Sequence, residues 1–297
     1  MILKKVMKHF IDPAKFDADS LIGLIDLADR FKFERKNSIA HPHLRGKTLG
    51  VVCRHPSPVL KSALFTGMYE LGGLAVDVPV DGIEDSRLAE AVRFSACSCS
   101  AVALCALRRS DVERIASGSD IPVVRCSDDT SAPIFVLSSL MTVRERTGAL
   151  SGRKICCIDS DCRAYDGLIY AAISCGMRVS VAAPIGFRPN ESIVDWGLHE
   201  RRLEITSDPL RAAKGADAIC TGIREYGAYP LTPGDYRVTE KLFDAANEGC
   251  AFFHAFPELR GAEISDGVYK DRKSDMLAES KNRLHIVKAV LTKTMKQ

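Results

Sequence analysis

Hydrophobic and polar positions along the chain fall into two alternating textures. Short, nearly continuous apolar runs bounded by turn residues read as strands buried on both faces. They cover residues 48–53, 74–79, 101–107 and 121–124, then 154–158, 178–182, 203–205, 216–220 and 250–254. Between them lie segments with apolar residues on one face only. These predict helices over 17–32, 58–71, 83–94, 110–116, 134–146, 163–174 and 190–197, one opened by Asp208-Pro209, and one over 273–293. Strands alternating with helices imply right-handed βαβ units and parallel sheets. The pattern therefore predicts two doubly wound parallel-sheet α/β domains, 1–133 and 134–279, with an interdomain cleft. The helix over 134–146 is placed to link them.

One stretch organises the first half. Residues 46–73, GKTLGVVCRHPSPVLKSALFTGMYELGG, read as strand, loop and helix. Ser57 is an N-cap candidate, Pro58 stands at the first helical position, and Gly72-Gly73 ends the helix. A helix N-terminus projecting from a strand end is a ready anion site.

Composition narrows the class. The 297 residues are 46% hydrophobic and 27% charged, with mean hydropathy −0.01, which suits a globular protein long enough for two domains. Against 41 basic residues stand 38 acidic ones, so charge makes no case for nucleic acid or an anionic membrane. No apolar run is of membrane-spanning length. The opening MILKKVMKHFIDPAKF reads as no targeting peptide, and a cytoplasmic protein is expected. The 11 cysteines lack C-x2-C spacing, which gives no metal expectation and suits buried thiols. His41-Pro42-His43 reads as an exposed loop, Lys270-Asp271-Arg272-Lys273 as a solvated loop, and Trp196 as packing on a short helix.

The order of elements resembles the aspartate/ornithine carbamoyltransferase family, its ornithine branch most closely, over nearly the whole chain. The resemblance rests on MKHFIDPAKFDADSLIGLIDLADRFK, GKTLGVV…MYELGG, CSDDTSAPIFVLSSLMTVRERTGALSGRKI, AAISCGMRVSVAAPIGFRPN, AAKGADAICTGI, FFHAFPELRGAEISDGVY and AESKNRLHIVKAVL, in the family's order and spacing. It implies a carbamoyl-phosphate-binding N-terminal domain, completed by the C-terminal helix 280–297, and an amino-acid-binding second domain. It also implies a homotrimer with shared active sites and residues 81–87 near a neighbour's site, and no cofactor.

The departures fall on the family's chemical motifs. Its donor loop S-T-R-T-R, which holds the phosphate, corresponds here to Ser57-Pro58-Val59-Leu60-Lys61. A donor-binding Arg after the third strand falls near Cys105-Ala106, with no basic residue before Arg108. The H-P-C-Q motif that contacts the carbamoyl group is Ala132-Pro133-Ile134-Phe135. On the amino-acid side, N-N becomes Cys162-Arg163, and the Asp of T-D-x-W becomes Gly222 in Thr221-Gly222-Ile223-Arg224. Arg224-Glu225-Tyr226-Gly227 lies where the family has S-M-G. H-C-L-P survives as His254-Ala255-Phe256-Pro257, and Arg260 matches the Arg beyond it.

Two readings stay open for each remaining candidate. Arg54, Ser57 and Lys61 form a residual anion site, or are a capped helix with solvated bases. Arg163, Arg224, His254 and Arg260 line a rebuilt second-substrate pocket, with His254 the catalytic candidate. Alternatively, Arg163 pairs with Asp159, Asp161 or Asp166, His254 is structural, and Arg260 bridges to an acid such as Glu279. Three functions follow: a homologue that has lost carbamoyl transfer and acts by binding or assembly, with an active paralogue or a small anionic ligand as partner; a transferase with a changed donor or acceptor; or an ornithine carbamoyltransferase of arginine metabolism.

Overall fold

The computed structural model describes residues 8–54, 58–127, 132–159, 165–186, 189–222, 236–254 and 263–296. Two parallel sheets carry the chain. In the first, β1 (Thr48–Cys53), β2 (Leu74–Val78), β3 (Ala101–Cys105) and β4 (Val123–Arg125) lie in the order β2-β1-β3-β4. In the second, β5 (Lys154–Ile158), β6 (Arg178–Ala182), β7 (Leu203–Thr206), β8 (Ala218–Thr221) and β9 (Ala251–His254) lie in the order β7-β6-β5-β8-β9. Every strand pair is parallel. Strands β3, β5 and β8 are buried at every residue, which is why they read as unbroken apolar runs.

The helices are α1 (Ala18–Lys36), α2 (Pro58–Glu70), α3 (Asp85–Ser95), α4 (Arg109–Ser117), α5 (Pro133–Thr147), α6 (Asp166–Ser174), α7 (Glu191–His199), α8 (Pro209–Ala213), α9 (Glu240–Ala245) and α10 (Asp266–Met295). Asp208 opens α8 as the sequence predicts, accepting from the amides of Leu210 and Arg211, and Gly148 closes α5 in the left-handed region. Among the described residues, no helix is long and apolar enough to cross a membrane.

The chain divides into two compact units. One comprises Met1–Pro13, Gly23–Asp129 and Asn282–Gln297, and the other Ala14–Ile22 and Thr130–Lys281. Within the first unit, the end of α10 packs on α2 at Gly67, where a Cβ would meet Val287 and Lys288 carbons at 3.3 Å. Lys288 is fully buried there. Its Nζ donates to Glu70 Oε2 at 2.6 Å and to His41 Nε2 at 3.1 Å, and it lies 5.4 Å from the Phe31 ring centroid. Arg35 also holds Glu70, at 2.7 Å.

Three local expectations need correction. His41 is buried, not exposed, because its ring closes this Lys288–Glu70 pair and lies 5.1 Å from Phe31. Lys270-Asp271-Arg272-Lys273 is helical, since α10 begins at Asp266 instead of near residue 273. Arg272 packs over Phe243 at 4.4 Å and donates to the Cys250 carbonyl, so this charged turn is held by α9 and β9. The short α9 was not predicted at all. Trp196 does pack, stacking on Tyr170 at 4.8 Å.

Candidate functional site

In doubly wound sheets, ligands bind at the carboxyl ends of strands where strand order reverses. Here those points are the ends of β1 and β3 in the first sheet and of β5 and β8 in the second.

At the first edge, Arg54 follows β1 directly. Its Nη1 donates to the Ile83 carbonyl at 2.9 Å and its Nη2 to Asp85 Oδ1 at 2.8 Å. Asp85 opens α3 and takes a second cation, Arg108, at 2.9 Å. Lys61, one turn into α2, donates to Asp77 Oδ2 on β2 at 2.8 Å, a bond that holds its ammonium above the usual lysine range. The three cations at this edge therefore share two carboxylates of their own chain, Arg54 and Arg108 on Asp85 and Lys61 on Asp77. Ser57 lies outside the described residues. Ala132 caps α5 with no side-chain hydrogen bond and is buried. Ala106 follows β3 with φ 54°, where its amide donates to the Ser127 carbonyl at 3.0 Å and to its hydroxyl at 3.2 Å. An L-residue there costs about 1–2 kcal/mol, which the bifurcated hydrogen bond from the Ala106 amide to Ser127 helps to offset.

The second edge gathers a buried polar cluster. Asp159 follows β5, and Tyr165 donates its hydroxyl to Asp159 Oδ2 at 3.3 Å. Burial, and then the Asp159 charge, push the Tyr165 phenol well above its usual value, so it stays a neutral donor. His254 ends β9, 2% exposed, with Nε2 2.7 Å from Glu263 Oε2. The other ring nitrogen, Nδ1, has no hydrogen-bond partner among the described residues.

Gly222 stands against this pair. Its φ is +66°, and a Cβ there would lie 2.7 Å from His254 Nε2 and 3.0 Å from Glu263 Oε2. The position that the resemblance assigns to an acid is thus held by the one residue that fits both the backbone and the space.

Of the sequence candidates, the structure describes Arg54, Lys61 and His254. Arg163, Arg224 and Arg260 lie outside the described residues, as does Ser57. Asp159, offered as a partner for Arg163, meets Tyr165, and Asp166 accepts the Asn190 amide at 2.9 Å. Glu279, offered as a partner for Arg260, is fully buried and accepts the Ser138 hydroxyl on α5. Asp85, Glu263 and Tyr165 were missed. Glu263 lies nine residues past His254 in FFHAFPELRGAEISDGVY, and an acid so near a conspicuous His is a usable signal. Among the described residues there is no His/Cys/Asp/Glu group suited to a metal ion.

Comparison with known proteins agrees along the whole chain. Residues 8–145 match the carbamoyl-P binding domain of the aspartate/ornithine carbamoyltransferase family, and residues 151–294 match its Asp/Orn binding domain. The ornithine carbamoyltransferase of Cenarchaeum symbiosum is 31% identical, over 96% of this chain and 97% of that protein. That of Oceanobacillus iheyensis is 29% identical, over 97% and 94%. The structure of ornithine carbamoyltransferase from Pyrococcus furiosus superposes with TM-score 0.88 at 25% identity, covering 99% of both chains. The Thermus thermophilus enzyme gives 0.87 at 26%, covering 98% and 99%. With both domains matched and the full length shared, this chain belongs to the aspartate/ornithine carbamoyltransferase family.

Proposed function

We propose that this carbamoyltransferase-family protein has lost carbamoyl transfer from carbamoyl phosphate and acts by binding or assembly, in the cytoplasm, as the homotrimer the resemblance implies. The observation that carries this reading is the pairing of Arg54 with Asp85 and of Lys61 with Asp77. Each of these two cations already meets a carboxylate, with Asp85 shared between Arg54 and Arg108. Charge-assisted hydrogen bonds contribute about 1.5–3 kcal/mol each, so two or three missing Arg contacts lower donor affinity by roughly 10²–10⁶-fold. The reaction also gathers negative charge on the carbamoyl oxygen. Preorganised donors supply that stabilisation, and Ala132 has none to offer.

The test is a thermal-shift titration of the purified protein with carbamoyl phosphate and with ornithine. A ligand at 100 times its Kd stabilises by about 2.7 kcal/mol. The reading expects no shift with carbamoyl phosphate; a clear saturable shift overturns it.

A second reading, a transferase with a changed donor or acceptor, is favoured by one observation. His254 keeps a carboxylate partner at one ring nitrogen and has none at the other among the described residues. A panel of phosphorylated compounds and amino acids that shifts the protein, with the shift lost in His254→Gln, supports this reading over the first.

A further inference from the structure

Cysteines stand opposite one another at the carboxyl edge of the first sheet. Cys53 ends β1 and Cys105 ends β3, and the two are direct register partners. Their side chains share a face. Val52 and Leu104, one position earlier, both enter the core cluster with Val92 of α3 and Val112 of α4. Alternation along each strand then turns Cys53 and Cys105 to the opposite face, where α2 lies. The influence of Cys53 on Lys61 of α2 agrees with that placement. Neighbouring strands run about 4.7–4.9 Å apart, inside the 4.4–6.8 Å Cα separation that a disulfide requires. Both cysteines are thiols in this structure, Cys53 partly exposed and Cys105 buried.

We propose that Cys53 and Cys105 form a reversible disulfide across the β1–β3 pair, with a small disulfide such as oxidised glutathione as the oxidant. The Cys53 thiolate attacks one sulfur of the small disulfide and expels one thiolate, leaving a mixed disulfide on Cys53. Cys105 then loses its proton and attacks the Cys53 sulfur, expelling the second thiolate. Two protein thiols are oxidised to one disulfide, and the small disulfide is reduced to two thiols. Partial exposure of Cys53 gives the oxidant access, and the register supplies the resolving thiol.

The position of the bond gives it consequence. It ties the residue before Arg54 to the residue before Ala106, the one strained backbone position at this edge among the described residues. The modification therefore stiffens the very ends of β1 and β3 where the family places its donor. The second sheet holds an internal comparison. Cys157 and Cys220 are also register partners, on β5 and β8, but both are fully buried, so an oxidant does not reach them in the folded protein.

The test uses the full-length reduced protein, incubated with rising concentrations of oxidised glutathione, quenched with N-ethylmaleimide and mapped by non-reducing peptide mass spectrometry. The expected result is a link from the 48–54 peptide to Cys105 that dithiothreitol reverses. No link should join Cys157 to Cys220. Cys105 shares its tryptic peptide, 94–108, with Cys97 and Cys99, so fragment ions must place the bond after Cys99. In Cys105→Ala, Cys53 should instead retain glutathione; in Cys53→Ser the link should vanish. Wild-type protein that stops at a glutathione adduct on Cys53, or links only through Cys97 or Cys99, or leaves Cys53 open to alkylation, overturns the proposal without any variant needing to fold.

Discussion

Restoring the family acid at position 222 is expected to damage the protein and to return no activity. The Gly222 φ of +66° is left-handed, and placing an L-residue there costs about 1–2 kcal/mol. The new Cβ would lie 2.7 Å from His254 Nε2 and 3.0 Å from Glu263 Oε2, well inside van der Waals contact. The His254 side chain is fully buried while Glu263 is 18% exposed, so Glu263 is the side that yields, at an overpacking cost of about 1–3 kcal/mol. Gly222→Asp should therefore lose about 2–5 kcal/mol, against a usual total of about 5–15. Gly222→Ala should lose nearly as much, because the backbone and the Cβ carry the cost. Glu263→Ala should recover part of the loss in the double variant, a coupling of about 0.5–3 kcal/mol. Urea denaturation followed by circular dichroism measures all four. A Gly222→Asp protein as stable as its parent, or one that forms citrulline, would refute the reasoning.

Other expectations follow from buried charges and from the donor edge. Burial, then the charges of Lys288, Lys32 and Arg35, push His285 down to about 3, so the folded protein holds it neutral while the unfolded chain protonates it near 6.5. The unfolded state then binds more protons between those values, so stability should fall as pH drops below about 6.5, by up to about 1.4 kcal/mol per pH unit. His285→Gln should flatten that acid limb in urea titrations at a series of pH values. Lys288→Met removes the fully buried partner of Glu70 and should cost about 3 kcal/mol, the low end for a broken buried pair because Arg35 keeps Glu70 matched; a cost near zero in the same assay would remove the network from the stability account. Asp85→Asn weakens the hold on Arg54 and Arg108, and should make binding of inorganic phosphate detectable by calorimetry where the parent shows none.

The sequence made the two sheets legible because their central strands are buried on both faces and carry almost no polar interruption. A helix start was legible where a single residue does the work, as at Asp208. Reading failed where a local pattern was overruled by distant contacts. The charged run Lys270–Lys273 read as a solvated loop; Lys270, Asp271 and Lys273 are indeed exposed, but the run is helical and Arg272 lies over Phe243. The helix expected over 110–116 begins at Arg109, and Asp111 is buried against Arg114. The state of the candidate site was least legible of all. Spacing showed that Arg54 and Lys61 remained, but their partners sit 31 and 16 residues away and reach them only through the sheet. The His254–Glu263 pair joins residues nine apart, a separation that no strand or helix periodicity describes.

The measurement that tests the central claim most directly is citrulline formation by the purified protein from ornithine and carbamoyl phosphate, both at high concentration. The account predicts no product above the uncatalysed background. Turnover within the ordinary enzyme range, about 1–10³ per second, would show that a functional donor site exists despite the pairing of Arg54 and Lys61, and would contradict it.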